Sequence, residues 1–185
     1  MITLEETFER DFDSESLQEL PSDGLPCFYY PGGNPKGGHD GLIVNVCPRT
    51  SVHWLGVFAF GGPLLKSKSG LYTWPDPKVL CVVARAQGYT VRVDEPRNYE
   101  IINVHPITDV ISVASRRLVV FANYTELVAY GESGVVWVSD RLSWDGFTVT
   151  AVTDELVEVT KWDPSVEKEV RFRVDLRNGH REEGY

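Results

Sequence analysis

The middle of the chain, residues 117–146, alternates short apolar runs with breaks at asparagine and glycine. From Leu118 to Ala122 both faces of an extended chain are apolar, which is typical of a strand inside a packed layer. Valine and aromatic side chains favour strands because they suit a pleated surface. Two glycines bracket Glu132-Ser133, as in a tight reversal. The pattern predicts antiparallel strands over residues 118–122, 127–130 and 135–138.

The same alternation continues on both sides of this region. It predicts further strands over residues 42–47, 52–60, 79–84, 89–93, 100–104 and 110–113, with a hairpin turn at Gln87-Gly88. A weak internal repeat relates residues 108–146 to 147–185, because Val110, Val113 and Gly134 recur as Val149, Val152 and Gly179. Each copy is predicted to form four strands, as in a propeller blade, although so few blades cannot close a ring.

These patterns predict an all-β fold made of mainly antiparallel sheets. We expect blade-like four-stranded repeats to pack as a sandwich or an open barrel in a single domain over residues 24–185. Residues 1–23 are predicted to form an acidic arm with a short helix. Thr3-Leu4-Glu5-Glu6 has the form of a capping box, and Leu4, Phe8 and Phe12 follow at a spacing of four residues. This spacing predicts an amphipathic helix over residues 4–12.

Charge is concentrated at the start of the chain. Residues 1–23 hold eight acidic side chains and one base, Arg10, which gives −7 of the formal net charge of −9. Direct nucleic-acid binding is disfavoured, because contact with phosphates needs a basic surface. The start carries acids where a secretory signal has bases, and no apolar run reaches the length of a membrane helix. We therefore expect a cytoplasmic protein without membrane contact.

The second half of the chain contains four short motifs: Gly134-x-x-Trp137, the run from Arg141 to Gly146 (RLSWDG), Asp163-Pro164, and Val174-Asp175-Leu176-x-x-Gly179. Together they resemble a pattern found in small uncharacterised bacterial all-β proteins. The resemblance covers residues 108 to 180 and leaves the N-terminal half unmatched. It implies a blade-like β fold and carries no established activity or functional residue.

Candidate chemistry is sparse. Cys27, Cys47 and Cys81 lack metal-binding spacing and favour reduced, buried thiols. The glycine-rich segment 31–41 has the lysine of a phosphate loop but no following serine or threonine and no helix, so a surface loop is favoured. The four histidines stand far apart, and His39-Asp40 is the only adjacent pair of acid and imidazole. We expect neither a cofactor nor a metal.

Three functions follow from these observations. The first is a non-enzymatic interaction protein, such as a bacterial immunity protein or toxin inhibitor, that recognises a basic protein surface. The second is a small-ligand or carbohydrate-binding β module with aromatic walls. The third is an enzyme that uses His39 and Asp40, or His53. The residues predicted to bind a partner are Glu5, Glu6, Phe8, Glu9, Asp11, Phe12 and Asp13. The residues predicted to bind a ligand are Tyr29, Tyr30, His39, Trp54, Tyr72 and Trp74.

Overall fold

A computed structural model of the chain describes residues 2–22, 24–32, 40–62 and 68–182. Over these residues the only helical element is a 3₁₀ turn at Ala114–Arg116, and the rest of the regular structure is strand. The prediction of an all-β, mainly antiparallel fold is therefore confirmed. The chain divides into two compact units, Met1–Ile107 and Thr108–Tyr185. The single domain predicted over residues 24–185 stays a prediction.

The first unit contains two sheets. Its strands are β1 (Thr3–Glu5), β2 (Phe12–Leu17), β3 (Cys27–Tyr30), β4 (Gly41–Pro48), β5 (Trp54–Ala59), β6 (Gly70–Thr73), β7 (Val79–Ala84), β8 (Gln87–Arg92) and β9 (Tyr99–Ile102). One sheet has the order β1-β6-β7-β8-β9 and the other the order β2-β4-β5-β3. The pairs β1–β6 and β3–β5 are parallel, and the remaining pairs are antiparallel. Both sheets contribute to one apolar core, in which Val44, Val46, Trp54 and Phe58 meet Val82.

The predicted N-terminal helix is wrong, because β1 and β2 occupy this stretch. Residues four apart, such as Leu4, Phe8 and Phe12, share a face of a strand as well as of a helix, so their spacing was ambiguous. A helix of this length is marginal in water, whereas strand pairing joins β1 to β6 and β2 to β4. Phe12 is 2% exposed and belongs to the core. The acidic stretch is therefore part of both sheets.

The predicted turn at Gln87-Gly88 is displaced by two residues. Both residues lie in β8, and the reversal is made by Arg85 and Ala86, each with a positive φ. Gly88 is required for close packing instead, since a Cβ there would lie 2.7 Å from Cδ1 of Ile107. Gly88 in the sequence therefore marks a close packing contact and not the position of the turn.

The second unit contains two four-stranded sheets, each in sequential strand order. Its strands are β10 (Asp109–Val113), β11 (Leu118–Ala122), β12 (Leu127–Gly131), β13 (Gly134–Val138), β14 (Thr148–Val152), β15 (Leu156–Asp163), β16 (Lys168–Asp175) and β17 (Arg181–Glu182). Apolar side chains of both sheets form one core. Trp137 of β13 links them, because its indole Nε1 donates to the Leu176 carbonyl over 2.8 Å. Gly179, with a φ of 75°, lies against the same indole ring.

Candidate functional site

Strand β2 forms one edge of its sheet, and its exposed side chains are acidic. Its only strand partner in the described part of the chain is β4. Along β2, Phe12 is buried, Ser14 and Ser16 are half-buried, and Asp13 and Glu15 are exposed. This alternation follows from the strand period of two. Glu9 is exposed just before the strand. We name Glu9, Asp13 and Glu15 the acidic edge.

In the part of the chain that the structure describes, Arg10 is the base that pairs with the acidic edge. Arg10 is shared between two carboxylates, since its guanidinium lies 2.8 Å from Glu6 and 3.4 Å from Asp13. The Asp13 side chain is nevertheless 83% exposed. Glu15 accepts a hydrogen bond from the side-chain amide of Asn45 over 3.1 Å, and this amide is neutral. The acidic edge therefore presents negative charge to solvent.

Cys47 on β4 lies across from Asp13 and reports this local charge. Burial raises the pKa of the Cys47 thiol, and the carboxylates of Glu15 and Asp13 raise it further, because a thiolate beside them would be repelled. The half-buried thiol therefore lies within the electrostatic field of β2.

The residues predicted to bind a partner divide into three groups. Glu6, Glu9 and Asp13 are exposed, and Phe12 is in the core. The remaining three, Glu5, Phe8 and Asp11, are half-buried. Glu5 accepts from the Thr7 hydroxyl, whereas the Phe8 and Asp11 amides donate to distant residues, Thr73 and Pro77. Phe12 is thus already used by the fold, whereas Phe8 keeps part of its ring at the surface. Sequence reasoning left Glu15 out of this set, although its spacing of two from Asp13 matches the strand period.

Most of the aromatic residues predicted to line a ligand pocket are core residues. Tyr30, Trp54, Tyr72 and Trp74 are each less than 5% exposed. Tyr29 is half-buried, and His39 lies outside the described residues. Their burial leaves these rings already packed within the first unit.

Two of these rings instead fix the loop that follows β8. The hydroxyl of Tyr30 donates to the Pro96 carbonyl over 2.7 Å, and burial raises the pKa of this hydroxyl. The Trp54 indole donates to the Val93 carbonyl over 2.9 Å. The loop is therefore held against the core by one buried and one partly buried hydrogen bond, and such bonds cost free energy to leave unmade.

An open pocket lies beside this loop. It has a volume of about 630 Å³ and is lined by Phe28 of β3 and by the loop residues Glu95, Pro96, Arg97 and Asn98. Phe28 packs edge-on against Trp54, with 5.7 Å between the ring centroids. The volume falls in the range of small-molecule sites. Of the residues lining this pocket, none had been predicted, because Glu95-Pro96 is typical of an ordinary turn.

Of the residues named for the enzyme alternative, His39 lies outside the described residues, and Asp40 and His53 do not converge. Asp40 precedes β4 and His53 precedes β5, and these strands are antiparallel, with Gly41 opposite Ala59 and Val46 opposite Trp54. The two residues therefore lie at opposite ends of the strand pair, about 20 Å apart at 3.3 Å per residue. In the described ranges no group of three His, Cys, Asp or Glu residues could hold a metal ion.

Two tryptophans are exposed in the second unit. Trp144 is 77% exposed and Trp162 is 60% exposed, in contrast to the buried Trp137. Trp144 lies in a loop whose Leu142 is buried, and the Arg141 guanidinium stacks 4.2 Å from its ring centre. Tryptophan and arginine side chains are enriched in protein interfaces. The neighbouring edge strand β13 also exposes valines.

Comparison with known proteins gives no assignment. Neither a protein-family model, nor a curated protein, nor a solved structure matches the chain. Within the described ranges, none of the helical structure has the length and apolar character needed to span a bilayer.

Proposed function

We propose that the chain is a cytoplasmic, non-enzymatic interaction protein that recognises a basic partner through the acidic edge. A bacterial immunity protein or toxin inhibitor is one example of such a protein. The observation that carries the proposal is the exposure of Glu9, Asp13 and Glu15 on and beside an ordered edge strand. A fixed strand presents its charges without the entropic cost of ordering a flexible arm on binding.

The proposal includes the arrangement of the sheets. Within each unit the two sheets would pack face to face as a sandwich around their shared core. In the second unit, each four-stranded sheet would correspond to one blade-like repeat. The sequential strand order of both sheets supports this arrangement.

The experiment compares two variants of the full chain that have the same net charge. The edge-neutral variant carries Glu9→Gln, Asp13→Asn and Glu15→Gln. The control variant carries Glu155→Gln, Glu167→Gln and Glu169→Gln, at exposed positions of the second unit. Substitution is needed because deletion of residues 1–20 would remove β1, β2 and the buried Phe12.

Each variant is immobilised and exposed to an extract of the native cell. We expect the unmodified chain and the control variant to retain the same basic protein, and the edge-neutral variant to lose it. Equal recovery by all three forms, or recovery of acidic proteins alone, would contradict the proposal. Circular dichroism of each variant checks that the fold is intact.

The pocket beside Phe28 supports a second candidate function, the binding of a small ligand. The Phe28 ring and the Pro96 side chain offer an apolar surface, and Arg97 and Asn98 offer polar groups near that surface. Screening of a fragment library by NMR tests this function. Shifts that cluster on residues 95–98 and disappear in Phe28→Ala would support it, and shifts confined to other regions would not.

A further inference from the structure

The outer side of β2 has the features of a site for strand addition. Asp11 accepts a hydrogen bond from the Arg49 amide, so the carbonyl of residue 11 points towards β4. In an antiparallel pair the backbone groups of alternate residues point to the same side. The amides and carbonyls of Phe12, Ser14 and Ser16 therefore point away from β4, where the described part of the chain supplies no further strand.

We propose, on the basis of the function proposed above, that the partner binds β2 as an added strand whose basic and apolar residues alternate. Asp13 and Glu15 lie two residues apart on one face, so they would meet lysine or arginine at every second position of that strand. Backbone hydrogen bonds would supply affinity, and the side chains would supply specificity.

The opposite face of β2 selects the intervening residues. Ser14 and Ser16 lie across from Val46 and Val44, which are fully buried in the core. The serines are small and half-buried, so they leave room at the margin of this core. Apolar side chains of the added strand would extend the core over Ser14 and Ser16. The two faces of β2 together select a strand in which basic and apolar residues alternate.

Charge excludes a second copy of β2 as the occupant. If two such strands paired antiparallel about Ser14, Asp13 of one copy would lie directly opposite Glu15 of the other. Like charges directly opposite each other destabilise a sheet. Exposed charges on an edge strand are a known protection against self-pairing. The same charges attract a basic strand, so charge complementarity commits the site to a basic segment of another molecule.

The probe is a seven-residue peptide in which lysine and valine alternate, capped at both ends. Two control peptides keep its charge. One has the same composition with the lysines contiguous, and the other has N-methyl groups on the amides of one edge, which removes those hydrogen-bond donors. The protein is the unmodified chain, together with Asp13→Asn/Glu15→Gln and the matched pair Glu167→Gln/Glu169→Gln. Calorimetry measures affinity, and NMR measures exchange of the Ser14 and Ser16 amides.

Strand addition predicts that the alternating peptide binds about tenfold more tightly than either control peptide, a difference of about 1.4 kcal/mol. It also predicts that the bound peptide slows exchange of the Ser14 and Ser16 amides. Asp13→Asn/Glu15→Gln should lose this binding, and the matched pair should keep it. If all three peptides bind equally and only Asp13→Asn/Glu15→Gln weakens them, strand addition is wrong but charge recognition stands. If the alternating peptide does not bind, strand addition is also wrong, and the extract experiment still decides the proposed function.

Discussion

At the scale of single residues, the two tryptophans Trp137 and Trp144 differ in role, because one is buried in the core and the other is exposed. Trp137 is 7% exposed and donates its indole N–H to Leu176, whose carbonyl belongs to a fully buried residue. Trp144 is 77% exposed. Trp137→Phe should lower the free energy of unfolding by about 1–3 kcal/mol, because the Leu176 carbonyl would be left without its donor. Urea unfolding followed by circular dichroism measures this loss.

The matched substitution Trp144→Phe is expected to change the free energy of unfolding by no more than about 0.5 kcal/mol, as is usual at the surface. A similar decrease in the free energy of unfolding in both variants would show that the buried hydrogen bond of Trp137 does not contribute more to stability than the exposed Trp144 ring. If Trp144 is an interface residue, its substitution should affect binding and leave stability unchanged.

Cys47 gives a residue-scale measurement of the acidic edge. Burial and the carboxylates of Glu15 and Asp13 hold the pKa of its thiol above the ordinary value. Removal of those charges should lower the pKa and increase the thiolate fraction, which is the reactive form. We expect Asp13→Asn/Glu15→Gln to raise the rate of Cys47 alkylation by iodoacetamide, a neutral reagent, several-fold at pH 8. Peptide mass spectrometry identifies the thiol, and an unchanged rate would contradict this electrostatic coupling.

At the scale of elements, the sequence predicts strands well where β-branched residues and turn glycines agree. The strands β11, β12 and β13 lie where expected, and their last turn is made by Glu132 and Ser133 between two glycines. The N-terminal stretch was predicted wrongly because a spacing of four satisfies both periods. Its partners, β4 and β6, lie far along the chain. Pairing with these distant strands therefore determines that the stretch is extended, and local propensity alone does not distinguish strand from helix here.

The candidate site was predictable only in part for the same reason. Acidity along residues 5–15 is visible in the sequence, but the edge position of β2 depends on the order of the whole sheet. The pocket lining follows from contacts of Tyr30 and Trp54 with a loop more than 35 residues away. Aromatic content therefore indicated a packed core as readily as a ligand wall.

The ends of β7 and β8 carry an ion-pair network that predicts a pH dependence. Lys78 lies 3.2 Å from Asp94, and Arg92 lies 3.0 Å from Asp76 and 3.6 Å from Asp94. Burial raises the pKa of Asp94, but the hydrogen bond from Lys78 and the charges of Lys78 and Arg92 outweigh it and hold the pKa below its ordinary value. At pH values between the lowered folded pKa and the ordinary unfolded pKa of Asp94, the unfolded chain therefore binds more protons than the folded chain. The free energy of unfolding consequently rises with pH.

Asp94→Asn should lower the free energy of unfolding at pH 7, where the contribution of Asp94 is fully present. The difference from the unmodified chain should shrink as the pH falls below the unfolded pKa of about 3.9 and through the lowered folded value. Lys78→Met should weaken the same pH dependence, because it removes the main charge partner. Urea midpoints measured from pH 7 to pH 3 check this, and a difference that stays constant with pH would refute it.

At the scale of the whole molecule, the N-terminal segment has two roles. The first 23 residues carry −7 of the net charge of −9, yet they also supply β1, β2 and the buried Phe12. The same segment therefore supplies an edge strand to each of the two sheets of the first unit and carries the negative surface. In β2 the two roles fall on opposite faces: Phe12 is buried and Ser14 and Ser16 are half-buried on one face, and Asp13 and Glu15 are exposed on the other. A concentrated charge of one sign attracts oppositely charged molecules before contact.

Salt dependence distinguishes local charge from net charge. Raising the salt concentration from about 0.01 M to about 1 M shortens the screening length from about 30 Å to about 3 Å. The association rate of a lysine-rich peptide with the unmodified chain should fall by at least about tenfold over this range. The edge-neutral variant should show a much smaller fall, and the control variant, with the same net charge, should behave as the unmodified chain. Stopped-flow fluorescence with a labelled peptide measures the rates. If the association rates of the two variants depend on salt concentration in the same way, total charge governs the encounter, and the position of Glu9, Asp13 and Glu15 does not.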